Sequence, residues 1–225
     1  MASDRFSQSV AAVEKLPPAP RRVAILLFDD VEVLDFAGPF EVFGVALDTA
    51  GGRAFEVVTV ALHVGEVIAR NGLKIVPTCT ASELGSVDVL VVPGGFGTRR
   101  EMTHKPMLNF IRSVSSSAEL TLSVCTGALL LGAAGLLNGR SATTHWAAMG
   151  ELRALETGAK ILTEARIVDN GNLVVSAGVS AGIDAALHVV GRLLGSARAE
   201  ETARSMEYDW NGFDRNGGPL VVRGS

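Results

Sequence analysis

Residues 120–137, Leu-Thr-Leu-Ser-Val-Cys-Thr-Gly-Ala-Leu-Leu-Leu-Gly-Ala-Ala-Gly-Leu-Leu, change character partway along. Leu120 to Val124 is a short apolar run rich in strand formers. From Gly127 the residues are small or aliphatic and apolar on every side, so the pattern predicts a strand turning directly into a buried helix. Cys125-Thr126-Gly127 occupies the corner. A side chain at such an elbow stands in the open beside the free N–H groups of the helix's first turn, where a nucleophile is well placed. The positive end of the helix also favours a thiolate, against an ordinary Cys pKa of about 8.5. Taken alone, Cys125 reads more simply as a small buried hydrophobe, because Cys is among the most buried residue types. The rest of the chain decides between the two.

The 225 residues suffice for one substantial core. A hydrophobic fraction of 48%, 25 Gly and only 5% aromatic residues suit an α/β protein with tight strand-to-helix turns. A net charge of −4 gives no electrostatic reason to expect nucleic acid or an anionic membrane as partner. Cys79 and Cys125 lack paired spacing, so neither a disulfide framework nor a metal site is expected, and Cys79 reads as structural. A reducing cytoplasm fits that usage. No apolar run approaches the roughly 18 residues of a membrane span, and the N-terminus lacks the apolar core of a secretory signal.

Working outward, residues 1–22 read as a flexible leader, 23–210 as one domain and 211–225 as a tail. Val23 to Phe28, Phe55 to Leu62 and Asp88 to Val92 read as buried strands, and Asn71-Gly72 and Asp169-Asn170-Gly171-Asn172 as hairpin turns. A helix is expected from about Phe40 to Ala50, with Pro39 at its first turn. That leaves Asp35 between strand and helix, as a cap or as a site residue. His104 to Ser116, Ala181 to Leu194 and Ala199 to Trp210 read as further helices, and Asn138-Gly139 as the cap that ends the Cys125 helix. Asp184 and His188, four apart, suggest a surface pair. Pro93-Gly94-Gly95 follows a strand, where glycines let backbone N–H groups approach a ligand or simply make a turn. His145 at a strand end, and Val179-Ser180 in a small-residue turn, are candidates to line a pocket. The alternation of strands and helices argues for a mostly parallel sheet covered by helices on both faces.

The motifs L-D-F-A-G-P, V-V-P-G-G-F-G, S-V-C-T-G-A-L-L-L-G-A-A-G-L-L and A-T-T-H-W resemble the ThiJ/PfpI superfamily, over about Val23 to Trp210. That resemblance implies a flavodoxin-like sandwich akin to class I glutamine amidotransferase domains, with Cys125 as the nucleophile. Asp in L-D-x-x-G-P together with Thr126 after the nucleophile looks most like the isocyanide hydratases. The protease-like branch carries His after the nucleophile, and the glyoxalase-like branch carries Glu where Asp35 stands. The resemblance therefore implies hydration of an organic isocyanide to an N-substituted formamide. Cys125 would attack, Asp35 would move the proton, and Thr126 would hold water or substrate. Gly94, Gly95, His145, Val179 and Ser180 would serve oxyanion or substrate binding. It implies a homodimer acting on a small molecule, with no cofactor and no metal. Two other readings stay open: a redox or stress sensor in which the same thiol is oxidised, and a small-ligand domain related to the sensor part of AraC-type regulators, without their DNA-binding region.

Overall fold

The computed structural model describes residues 20–210 and 220–224. Its first half runs β1 (Arg21–Leu26), α1 (Val33–Val45), β2 (Phe55–Ala61), the hairpin strands β3 (Val67–Ile68) and β4 (Lys74–Ile75), β5 (Cys79–Thr80), β6 (Val89–Val92), α2 (Thr98–Glu101) and α3 (Lys105–Ser117). The second half gives β7 (Leu120–Ser123), α4 (Gly127–Ala133), β8 (Ser141–Ala142), α5 (Met149–Ala154), β9 (Lys160–Ile161), β10 (Ile167–Asp169), β11 (Leu173–Ser176), α6 (Ala181–Leu194), α7 (Ser196–Ser205) and β12 (Val221–Arg223).

Eight strands form one sheet in the order β12-β10-β11-β7-β6-β1-β2-β5, parallel throughout except where β10 meets β11. Successive side chains of a strand point to opposite faces. Every residue of β6 and β7, and Val23 to Leu26 of β1, is buried, so both faces of the centre are covered. This is why those strands read as unbroken apolar runs. The helices that cover them pack as two groups, α1 with α6 and α7, and α2 with α3, α4 and α5. The run β2-β1-β6-β7-β11 is the flavodoxin-like order. The connection after β1 and the connection after β6 diverge there, and the carboxyl ends of β1, β6, β7 and β11 share one edge of the sheet.

Both predicted hairpins form, with Asn71 (φ 62°), Gly72 (φ 81°) and Gly171 (φ 86°) in the left-handed region the turns demand. Several expectations are corrected. Helix α1 starts at Val33 rather than near Phe40, so Asp35 lies in its first turn and Pro39 in its interior. The N–H that Pro39 lacks would have bonded the Asp35 carbonyl, close to a helix end where such a loss costs least. Helix α4 stops at Ala133, where Gly135 (φ 77°) turns the chain before Asn138-Gly139 is reached. The last long helix occupies Ser196–Ser205, behind Gly195, not 199–210. Asp184 and His188 are not a surface pair. Asp184 accepts from Arg166 Nε (2.7 Å) and Tyr208 Oη (3.0 Å), while His188 Nε2 meets Asp169 Oδ2 at 2.8 Å, because that face of α6 lies against β10. The expected tail supplies β12, paired in register with β10 from Ile167↔Val221 to Asp169↔Arg223. Of the expected leader, residues 1–19 lie outside the described residues, and Arg21 and Arg22 belong to β1.

Candidate active site

The elbow is built by backbone constraints. Val124 N–H still donates to the Val92 carbonyl at 3.0 Å, continuing the ladder beyond β7. Cys125 then turns into the left-handed region (φ 58°), its N–H held by the Ala177 carbonyl at 3.0 Å and its carbonyl by the Thr144 hydroxyl at 2.7 Å. A non-glycine residue there is strained and persists only because these neighbours over-determine it. Two residues on, Gly127 is required by space, since a Cβ would stand 2.1 Å from the Val92 carbonyl oxygen. Within A-T-T-H-W the sequence reading singled out His145; the side chain that touches the elbow is Thr144.

Asp35, wholly buried in the first turn of α1, faces the elbow from the neighbouring connection. Its Oδ2 accepts Gly94 N–H at 2.9 Å, and Oδ1 is buried without a well-formed hydrogen bond. Burial pushes the Asp35 carboxyl up to about 7, opposed by Gly94 N–H, by the Cys125 thiol and by Val179 N–H. Burial likewise pushes the Cys125 thiol up to about 12, and the Asp35 charge adds to it, against the backbone N–H groups of Thr126 and Val179. The helix end therefore does not produce the thiolate expected from the sequence. Cys125 is only 6% exposed, and loss of hydration beside a carboxylate outweighs two N–H donors. The resting pair is a thiol against a carboxyl that changes charge near neutrality, and the two titrate together.

The glycine loop positions rather than receives. Gly94 N–H is committed to Asp35 and Gly95 N–H to Thr126 Oγ1 (2.9 Å), so neither faces an incoming anion. That corrects the expected oxyanion role, because one N–H makes one good bond. Thr126 Oγ1 also donates to the Gly95 carbonyl at 3.1 Å, so its hydroxyl fastens the loop. The donors that do bear on the sulfur are the N–H groups of Thr126 and Val179, the latter set by another left-handed residue (φ 53°). His145 and Ser180 stand one step away. With Thr144, Trp146, Arg166 and Gly178 they line a cleft of about 250 Å³. His145 Nδ1 accepts from Ala147 N–H (3.3 Å), and burial and nearby Arg99 hold the imidazole below its usual pKa, hence neutral. Ser180 Oγ accepts from Arg166 Nη2 at 3.3 Å. Among the described residues no group of His, Cys, Asp or Glu could hold a metal ion.

The fold therefore sets a thiol beside a carboxyl with a pKa near neutrality, both almost cut off from solvent. Among proteins of known sequence, the chain is 40% identical over 187 residues to the isonitrile hydratase of Pseudomonas putida, covering 83% of this chain and 78% of that protein. It is 28% identical over 173 residues to the HTH-type transcriptional regulator GbdR of Pseudomonas aeruginosa, covering 77% of this chain but 47% of the regulator. The crystal structure of a ThiJ/PfpI family protein from Pseudomonas syringae superposes with a TM-score of 0.76 at 32% identity, over 95% of this chain and 90% of that one. Residues 21–192 match the DJ-1/PfpI family, and with the fold and the elbow described above this chain belongs to that family.

Proposed function

We propose that this chain is an isocyanide hydratase, converting R–N≡C and water to the N-substituted formamide R–NH–CHO. The observation that carries the reading is the pairing of Cys125 with a buried carboxyl whose pKa is about 7. The 40% identity to an isonitrile hydratase supports the choice of substrate. The terminal carbon of an isocyanide accepts a soft nucleophile but must also gain a proton, so both groups must stand together. As the sulfur of Cys125 bonds to that carbon, the Asp35 carboxylate takes the thiol proton and delivers it to the same carbon, giving the thioimidate R–N=CH–S–Cys125. Asp35, again a carboxylate, then takes a proton from water as the water oxygen adds to the carbon and passes that proton to the nitrogen, giving R–NH–CH(OH)–S–Cys125. Collapse of the adduct breaks the C–S bond, releases R–NH–CHO and returns a proton to the sulfur. Thr126 and Val179 N–H groups stabilise charge on the sulfur at both steps. Gly94, Gly95 and the Thr126 side chain are positioning residues, and the His145 and Ser180 cleft accepts part of the substituent.

The test is formamide formation from an alkyl or aryl isocyanide, read by mass spectrometry, with Cys125→Ala as control. No product from the intact protein, or equal product from the variant, overturns the reading. The redox-sensor alternative has less support, because the nucleophile towards peroxide is the thiolate and burial pushes this thiol up to about 12. We further propose a homodimer, which light scattering of the full chain tests.

A further inference from the structure

A cavity of about 570 Å³ lies apart from the reactive pair, among the carboxyl ends of β1 and β2, the segment leading into β3, and the turn between α2 and α3. Its size is that of a small-molecule site, and it opens on the sheet edge where open α/β folds keep ligands. The floor is hydrocarbon, from Leu27, Phe28, Leu62, Val67 and Met107. None of Cys125, Asp35, Thr126 or the Gly94-Gly95 loop contributes to its wall.

The polar groups of that wall are unbalanced. Asp29, Glu66 and Glu101 face a single guanidinium, Arg100. Arg100 is turned mostly to its neighbours: Nε donates to Glu101 Oε1 (2.9 Å), Nη2 to the Asp29 carbonyl (2.7 Å), and Nη1 reaches Asp30 at 3.5 Å, three of its five N–H donors. Glu101, only 8% exposed, also meets His104 Nδ1 at 3.0 Å. A carboxylate can only accept, so His104 donates Nδ1–H there. Asp29 Oδ1 takes Ile68 N–H at 2.8 Å and Glu66 shares Lys74 at 3.1 Å, each using only part of a carboxylate's capacity. The wall thus sets three carboxylates against one guanidinium over an apolar floor.

We propose that this cavity binds a small organic ammonium, a primary or secondary amine carrying an apolar substituent. Its N–H donors meet Asp29 and Glu66 while its hydrocarbon lies on Leu62 and Met107. The site is independent of the chemistry at Cys125.

The test is calorimetric titration of the full chain with 2-phenylethylammonium, with the neutral isostere 2-phenylethanol and with 3-phenylpropionate. The ammonium saturates one site at least about tenfold more tightly than the alcohol, and the carboxylate does not bind. Cys125→Ala binds the ammonium unchanged, so a failure of the hydratase reading is distinguishable from a failure of this one. Asp29→Asn, whose amide oxygen still accepts Ile68 N–H, weakens the ammonium about tenfold and leaves the alcohol alone. Leu62→Trp, which fills the cavity, removes binding of both. No saturation by the ammonium, equal affinity for the carboxylate, or affinity unchanged in both cavity variants overturns the proposal.

Discussion

Gly94 N–H donates to Asp35 Oδ2 at 2.9 Å, and the gap between the two residues is too small for a methyl group. A Cβ on Gly94 would lie 2.5 Å from Thr126 N, 2.6 Å from Thr126 Oγ1 and 2.9 Å from Asp35 Oδ2. Gly94→Ala must therefore push the acid away from the nucleophile's helix. Expected are destabilisation of about 1–3 kcal/mol by denaturant titration and loss of most isocyanide turnover, since small misplacements of reacting groups are costly. Wild-type turnover in this variant would mean that the close packing plays no part.

Cys125→Ala is expected to abolish formamide formation, and Asp35→Asn to lower it by about 10²–10⁴, the usual worth of a positioned proton-transfer group. The check is product formation by chromatography in proteins shown to be folded by circular dichroism. Residual activity within tenfold of wild type in Asp35→Asn would remove the proton-shuttle role.

The pH dependences of activity and stability run in opposite directions. Asp35 must be a carboxylate to take the thiol proton, so kcat/KM rises as pH climbs through about 7 and then levels, and that limb is absent from Asp35→Asn. For stability, a carboxyl whose folded pKa is raised contributes most below its unfolded value of 3.8, and the contribution is lost as pH rises to about 7. The melting temperature of Asp35→Asn should exceed that of wild type by more at pH 8 than at pH 4, with a ceiling on the order of 4 kcal/mol. A difference independent of pH would contradict the buried titration.

Thr126→Val removes the hydroxyl that serves both the N–H and the carbonyl of Gly95. The buried Gly95 N–H loses its acceptor, whereas the Gly95 carbonyl keeps the Thr98 hydroxyl at 2.8 Å; the loss costs about 1–3 kcal/mol, and Thr126→Ser should restore most of it. Thermal denaturation of the three proteins distinguishes this fastening role from a role in substrate binding, which would alter KM without altering stability.

Asp169 is 2% exposed and collects His188 Nε2 (2.8 Å), Arg192 Nη1 (3.1 Å) and Arg223 Nη1 (2.6 Å), tying α6 and β12 to β10. Asp169→Asn leaves Arg192 and Arg223 without their counter-charge and is expected to cost about 3 kcal/mol. His188, the Gly171 N–H and Arg192 hold the Asp169 carboxyl below its usual pKa despite burial. Its contribution is therefore present above the unfolded value and disappears as pH falls, so wild type and variant should converge in acid when melted in parallel.

The central strands, both hairpins and the strand-to-helix elbow were legible along the chain because each rests on local chemistry. Unbroken apolar runs mark strands covered on both faces, Asn-Gly marks turns, and Thr126-Gly127 leaves room for a corner. Resemblance among a few short motifs brought Asp35 and Cys125 into one site, ninety positions apart. The boundaries that differ do so for two reasons: α1 runs through Pro39, while at α4 and α7 the chain turns at Gly135 and Gly195 instead of at the expected positions.

What the linear order determined was therefore a parallel sheet with Cys125 at its carboxyl edge. Folding alone decided the charge state of that thiol, because desolvation depends on every neighbour and exceeds the local pull of a helix end. Folding also decided that Gly94 and Gly95 N–H groups are consumed by Asp35 and Thr126, that Asp184 and His188 face β10, and that residues 221–223 close the sheet beside β10. Each of these is a partnership between residues distant in the chain, which no local pattern encodes.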